Sequence, residues 1–135
     1  MTYEEKTAWL NRYREAEALY HRLSYRLAEA QEAARHMTQN LCAVPGGSGD
    51  GQALARAVER EQEAEERAYA QQAVCDALYS EIENVLVQVR NNQGYVALHK
   101  YYLNCLTWEQ VAEDMDVSLR WVHTLRRNAV EELEL

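Results

Sequence analysis

From Ser118 to Val130 the chain carries Arg120, Arg126 and Arg127 and no acidic residue, within a sequence of 135 residues whose formal net charge is −8. A guanidinium is planar and presents a fork of donors that matches guanine O6 and N7, or two phosphate oxygens. Thr124 and Leu119 are suited to touch a thymine methyl, and Ser118 is a natural N-cap whose backbone N–H, at a helix start, favours a phosphate. Arg126 or Arg127 adds charge attraction to a phosphate backbone. His123 reads as a surface or phosphate-contacting histidine. The chemistry on offer is recognition of a base edge flanked by anions, and the candidate set is Ser118, Leu119, Arg120, His123, Thr124, Arg126 and Arg127.

Other chemistry has less to work with. Cys42, Cys75 and Cys105 lie about thirty residues apart, with no CxxC pair and no histidine at zinc-finger spacing, so they read as reduced, mostly buried thiols. His21, His36, His99 and His123 are scattered. Neither HExxH nor GxSxG occurs, and no glycine-rich phosphate loop precedes a lysine. No catalytic residue, metal ligand or cofactor-binding set is expected, and the chain reads as a non-enzyme.

The basic window needs elements to position it. Thr107 and Gln110 have the spacing of a capping box, and Val111, Ala112 and Met115 follow on one face of a two-turn helix. Asp116 stands where that helix must turn, in a place that usually takes glycine because the chain goes left-handed there. The helix capped by Ser118 then buries Val122, Leu125 and Ala129. Ala112 is small where the two helices would cross. That order is the helix-turn-helix pattern, whose second helix lies in the DNA major groove. Tyr95 to Leu103 reads as a short helix before it, burying Val96, Leu98, Tyr101 and Tyr102. Trp108 is expected to pack inside; Trp121 is either a packing anchor or a base-stacking group.

Upstream, Thr2 and Glu5 form another capping-box pair. Trp9, Tyr13, Ala16, Tyr20, Leu23, Leu27, Ala30, Ala34, Met37 and Leu41 follow at alternating steps of four and three, the repeat of a coiled-coil seam, with no glycine or proline between. At the helical rise, forty residues make a rod of roughly 60 Å that needs a partner helix. Pro45, Gly46, Gly47, Gly49 and Gly51 mark a loop over 42–52. Ala57, Glu61, Ala64, Ala68, Gln71, Cys75, Leu78, Ile82, Val85 and Val89 then repeat the seam and bring the chain back, with Leu78 to Val89 near Trp9 and Tyr13. The expected fold is all-α: an antiparallel helical hairpin over 1–92, then a small helix-turn-helix domain over 93–135 that leans on the hairpin base. The hairpin tip, near Ala34, Ala57, Glu61 and Ala64, has little to bury, and is expected to fray or to be where another molecule docks.

Composition agrees with long helices: 47% hydrophobic with 27% charged, no Phe, one Pro, and much alanine. The acidic charge concentrates in the middle, where residues 42–93 hold nine acidic and four basic side chains. No run approaches the roughly 18 apolar residues that span a bilayer, and the N-terminus lacks signal-peptide order, so a cytoplasmic location is expected, without a membrane partner.

From Tyr95 to Leu133 the chain resembles the C-terminal, −35-element-reading domain of bacterial sigma factors. Leu106-Thr107-Trp108-Glu109-Gln110-Val111-Ala112-Glu113 is similar to its first helix and Arg126-Arg127-Asn128-Ala129-Val130-Glu131-Glu132-Leu133 to its close. As a whole, including Tyr3 to Ala16 and the Pro45 to Gly49 loop, it resembles the sigma-like or ArpU-like transcription regulators encoded in prophages of Firmicutes. The resemblance implies a phage-type regulator in a bacterial host, a sigma-like placement of Arg120, His123 and Thr124 in the groove, double-stranded DNA as partner, and a hairpin that forms a homodimer or docks on host RNA polymerase. Asp116 departs from the glycine both groups favour, and no counterpart exists here of the sigma segments that open the promoter. Two further readings stay open: a small-terminase-like packaging protein that assembles rings, and an acidic protein-binding module that imitates nucleic acid through the Glu59 to Glu66 run.

Overall fold

A computed structural model describes residues 1–43 and 50–135, with side chains for 1–40 and 51–135. The protein is all-α, with no strand among the described residues. Helix α1 (Tyr3–Leu10) starts at the expected capping box: the Glu5 N–H donates to Thr2 Oγ1 at 3.2 Å and the Thr2 N–H to Glu5 Oε2 at 3.0 Å. α2 (Arg12–Ala43) follows after a break at Asn11 that the unbroken seam does not foretell. The break is local. Arg12 Nε donates to the Trp9 carbonyl at 3.0 Å, taking an acceptor that a regular helix offers to the N–H four residues on.

α3 (Asp50–Leu86) returns antiparallel and tightens into a 3₁₀ turn at Val87–Val89, so the last seam residue stands on a tighter winding than expected. Residues 42, 43 and 50–52, expected in the loop, are helical. The expected Pro45 to Gly49 loop lies outside the described residues. Every described seam residue on both helices is at least partly buried, which is what alternating steps of three and four require when each helix covers the other. α4 (Gln93–Leu98) runs into a π-helical turn at His99–Leu103; α5 (Trp108–Met115) and α6 (Leu119–Glu132) complete the chain.

Two compact units result: residues 1–17 with 75–135, and residues 18–74. In the first, Leu10, Ile82, Leu86, Leu98, Val130 and Leu133 are fully or almost fully buried in one cluster, flanked by Trp9, Tyr13 and Tyr79. Full burial of each large aliphatic side chain stabilises by about 1.5–3 kcal/mol. Here the antiparallel pairing of α2 and α3 is fixed by Tyr13 meeting the edge of Tyr79, ring centroids 5.5 Å apart, and by the Arg12–Glu81 ion pair at 3.1 Å. The end of the chain is tied down too. The Gln88 amide donates to the Glu134 carbonyl at 2.9 Å and accepts from the Glu134 N–H at 2.8 Å, which holds Leu133 in the core.

In the second unit Met37 and Ala53 line one cavity while Tyr20 and Gln72 line another, so numbering rises on α2 as it falls on α3. The only buried hydrophobics described there are Ala34, Ala57 and Ala68. Among the described residues, no helix is long and apolar enough to cross a membrane.

Candidate nucleic-acid interface

Asn92 caps α4 by accepting the Tyr95 N–H at 3.2 Å, and Gly94 then passes so close to α6 that a Cβ on it would lie 2.6 Å from the Ala129 Cβ. This contact sets α4 on α6. The π turn inserts an extra residue per hydrogen-bonded ring, seen in the Asn104 N–H to His99 carbonyl bond at 3.0 Å. Two residues past its end, Cys105 lies in the left-handed region at φ 58°. Arg14 satisfies the carbonyls this leaves: one Nη1 donates to Tyr101 O at 2.7 Å and to Leu106 O at 3.0 Å, with the guanidinium over the Tyr101 ring at 4.0 Å. Of the residues expected to be buried here, Leu98 and Tyr102 are, Tyr101 is half-buried, and Val96 is 39% exposed. Ala97 takes the inner place instead, because Gly94 against Ala129 fixes which side of α4 faces in.

α5 opens on the expected capping box, the Gln110 N–H donating to Thr107 Oγ1 at 3.1 Å and the Thr107 N–H to Gln110 Oε1 at 2.9 Å. Val111 and Ala112 are buried with Ala97 and Val122, so the small Ala112 does stand where α5 meets α6. Asp116 closes α5 at φ 56°, ψ 46°, left-handed as the pattern requires. The Asp116 N–H bonds back to Glu113 O at 3.1 Å and the Val117 N–H to Ala112 O at 3.0 Å, which occupies the terminal carbonyls of the helix. Lys100 of the π turn pairs with Asp114 and pins α5 from the other side.

Ser118 then caps α6, accepting the Trp121 N–H at 3.1 Å. Val122 and Ala129 are buried and Leu125 is half-buried, leaving Arg120, Thr124, Arg127 and Glu131 exposed at steps of four and three along one outward face, with Asn128 next to Arg127. Thr124 Oγ1 donates to the Arg120 carbonyl at 3.2 Å. Leu119 is at the start of the helix, 37% exposed. His123 is half-buried with its ring edge-on to Trp108, centroids 6.1 Å apart. Arg126 is half-buried, its guanidinium over the Trp108 ring at 4.9 Å. Trp108 itself stacks on Tyr101, centroids 3.9 Å apart and planes 4° from parallel, the inward packing expected.

The structure thus brings Arg120, Thr124 and Arg127 together on the outward face, with Ser118 and Leu119 at the helix start, and turns His123 and Arg126 toward Trp108. No protein-family model, no curated protein and no solved structure matches the chain.

Two residues of this face stood outside the expected set. Trp121 is 45% exposed and its Nε1–H donates to Gln93 Oε1 at 3.4 Å, so it is a surface ring steered by α4. Asn128 shares the outward face at the step after Thr124 and Arg127. The helical period counted from Arg120 places Asn128; nothing local in the sequence places Gln93 beside Trp121.

The Cys42 side chain lies outside the described residues, and the other two thiols are not on this face. Cys75 is buried and Cys105 half-buried, both free. Burial pushes each thiol above its ordinary value, helped at Cys75 by nearby Glu17 and opposed at Cys105 by Arg14. Cys75 lacks the electropositive, exposed setting that activates a cysteine, and at Cys105 burial outweighs the Arg14 charge. Among the described residues no group of three or more His, Cys, Asp or Glu is placed to hold a metal ion.

Proposed function

We propose that the protein is a sequence-specific double-stranded DNA-binding regulator of transcription, of the sigma-like or ArpU-like prophage type, acting without enzymatic chemistry in the cytoplasm of a bacterial host. The observation that carries this reading is the left-handed Asp116 between two short helices, which sets α6 with Arg120, Thr124 and Arg127 outward. In this reading α6 enters the major groove. Arg120 grips a guanine edge, Thr124 meets a thymine methyl, and Arg127 attracts the phosphate backbone. Arg126 serves through Trp108, by holding α6 against α5.

Few cations on one helix give a weak electrostatic share of affinity, and the −8 chain repels DNA elsewhere. Two copies, or tethering to RNA polymerase, raise the effective concentration enough to compensate. The proposed working form is therefore a homodimer or a polymerase-bound complex.

Single substitutions test the assignment on a selected duplex site. Arg120→Ala is expected to weaken binding by about 1–3 kcal/mol and to relax preference at one base pair, and Arg127→Ala to weaken all sequences alike and lower the salt slope by about 1. Unchanged affinity in both variants would remove α6 as the reading helix.

A further inference from the structure

The unit of residues 18–74 has surface chemistry that the C-terminal helices do not use. A cavity of about 440 Å³ between α2 and α3 is walled by Arg26, Arg56 and Arg60 over a floor that includes Ala30, Ala57 and Met37. A second cavity of about 220 Å³ shares Arg26, Ala30 and Arg60 with it and adds Arg67. The two therefore run on as one groove. From Leu23 to Met37 along α2 it spans about 20 Å at the helical rise, the length of about four helical turns. Two carboxylates, Glu29 and Glu63, stand on the same walls. Among the residues whose side chains are described, no ion pair holds any of the four arginines, although this unit carries more acidic than basic side chains.

Four guanidiniums against two carboxylates make the groove locally cationic in an acidic chain. Its alanine floor lets another backbone approach closely, and the unit's own seam buries only alanines among the described hydrophobics. An extended polyanion such as duplex DNA would overrun a groove only about 20 Å long, whose own walls carry Glu29 and Glu63. A helix that carries carboxylates along one stripe and small or apolar residues along the next meets both features at once: charge for the rim, apolar area for the floor.

We infer that the Arg26–Arg56–Arg60–Arg67 groove is a docking site for an acidic, amphipathic helix of a protein partner. The groove lies within residues 18–74, and its occupancy does not depend on whether α6 binds DNA. The carboxylates of the partner make forked contacts to guanidiniums, which Lys at the same positions would not reproduce.

The test uses the full chain and two fluorescein-labelled helical peptides of about 20 residues, with Leu and Ala along one stripe and either Glu or Lys along the other. Fluorescence anisotropy is expected to show the Glu peptide binding and the Lys peptide not binding. In Arg26→Glu/Arg60→Glu the Glu peptide should weaken by on the order of tenfold or more while the Lys peptide gains affinity. Arg26→Gln/Arg60→Gln, which keeps the stems without the charge, should lose the Glu peptide and leave helicity unchanged by circular dichroism. Equal binding of both peptides, or undiminished binding of the Glu peptide to both variants, overturns the proposal. So does a wild-type dimer that becomes monomeric in the Gln variant without peptide binding, which would make a second copy the occupant, or displacement of the Glu peptide by duplex DNA.

Discussion

The guanidinium of Arg126 lies 4.9 Å over the ring of Trp108, and Trp108 in turn lies flat on Tyr101 at 3.9 Å. With Arg14 over the far partner, Tyr101, at 4.0 Å, the series Arg14, Tyr101, Trp108, Arg126 links α2, the π turn, α5 and α6. A cation covers each end of the two stacked rings, so that each charge faces a π-cloud, and Arg14 also serves two carbonyls. The stack fixes the angle at which α6 presents its outward face.

Trp108→Ala should therefore be among the most destabilising changes in the C-terminal helices, at about 3 kcal/mol. Arg126→Ala should cost about 0.5–1 kcal/mol, the size of one cation–π contact at a partly exposed site. Urea unfolding of the two variants measures both. A loss in Arg126→Ala as large as that in Trp108→Ala would mean that the arginine does more than cover the ring.

Asp116 holds a left-handed backbone that glycine adopts without steric cost. Asp116→Gly is expected to raise stability by about 0.5–1 kcal/mol, since among the described residues the Asp116 carboxylate makes no hydrogen bond or ion pair that the change would remove. It also removes a negative charge next to the α6 N-terminus. Thermal unfolding should show a higher midpoint, and DNA affinity at low salt should rise with it.

Gly94→Ala would place a methyl group 2.6 Å from the Ala129 Cβ and 3.2 Å from the Leu125 carbonyl. Backbone and a buried Cβ cannot swing aside, so α4 must lift from α6, at a cost of about 1–3 kcal/mol. The compensating double variant Gly94→Ala/Ala129→Gly should recover part of the loss when both are compared by denaturant unfolding.

Much of this arrangement was legible beforehand. Both capping boxes, the two seams and the Asp116 turn are local or periodic signals, and each is written in consecutive residues such as Thr107 to Gln110. What escaped is long-range. Val96 reads as an inner residue by its type, and only the Gly94–Ala129 approach shows that Ala97 takes that place. The π turn shifts the register between α4 and Cys105, so periodicity counted through it misplaces side chains. That Arg126 lies over Trp108 depends on how α5 crosses α6, which no local pattern gives.

Alkaline pH should destabilise the fold. Burial, with Glu17 adding to it at Tyr13 and Cys75, raises Cys75, Cys105, Tyr13, Tyr79 and Tyr102 above their ordinary values. The folded state then holds these protons more tightly than the unfolded state does. Their contribution is complete below the unfolded thiol value of about 9 and is lost as pH rises above it. Midpoints of thermal unfolding from neutral pH to pH of about 10.5 should fall, and Tyr102→Phe should flatten the upper part of that fall.

The central claim is that α6 reads duplex sequence, and selection of bound fragments from a random duplex pool at low salt tests it most directly, with the retained binding repeated at several salt concentrations. An enriched motif is expected, its affinity falling as salt rises and its recovery lost in Arg120→Ala/Arg127→Ala; in a dimer two half-sites should stand about 10 base pairs apart. A folded protein that enriches no motif, or one whose enriched motif survives that double substitution, would contradict the account.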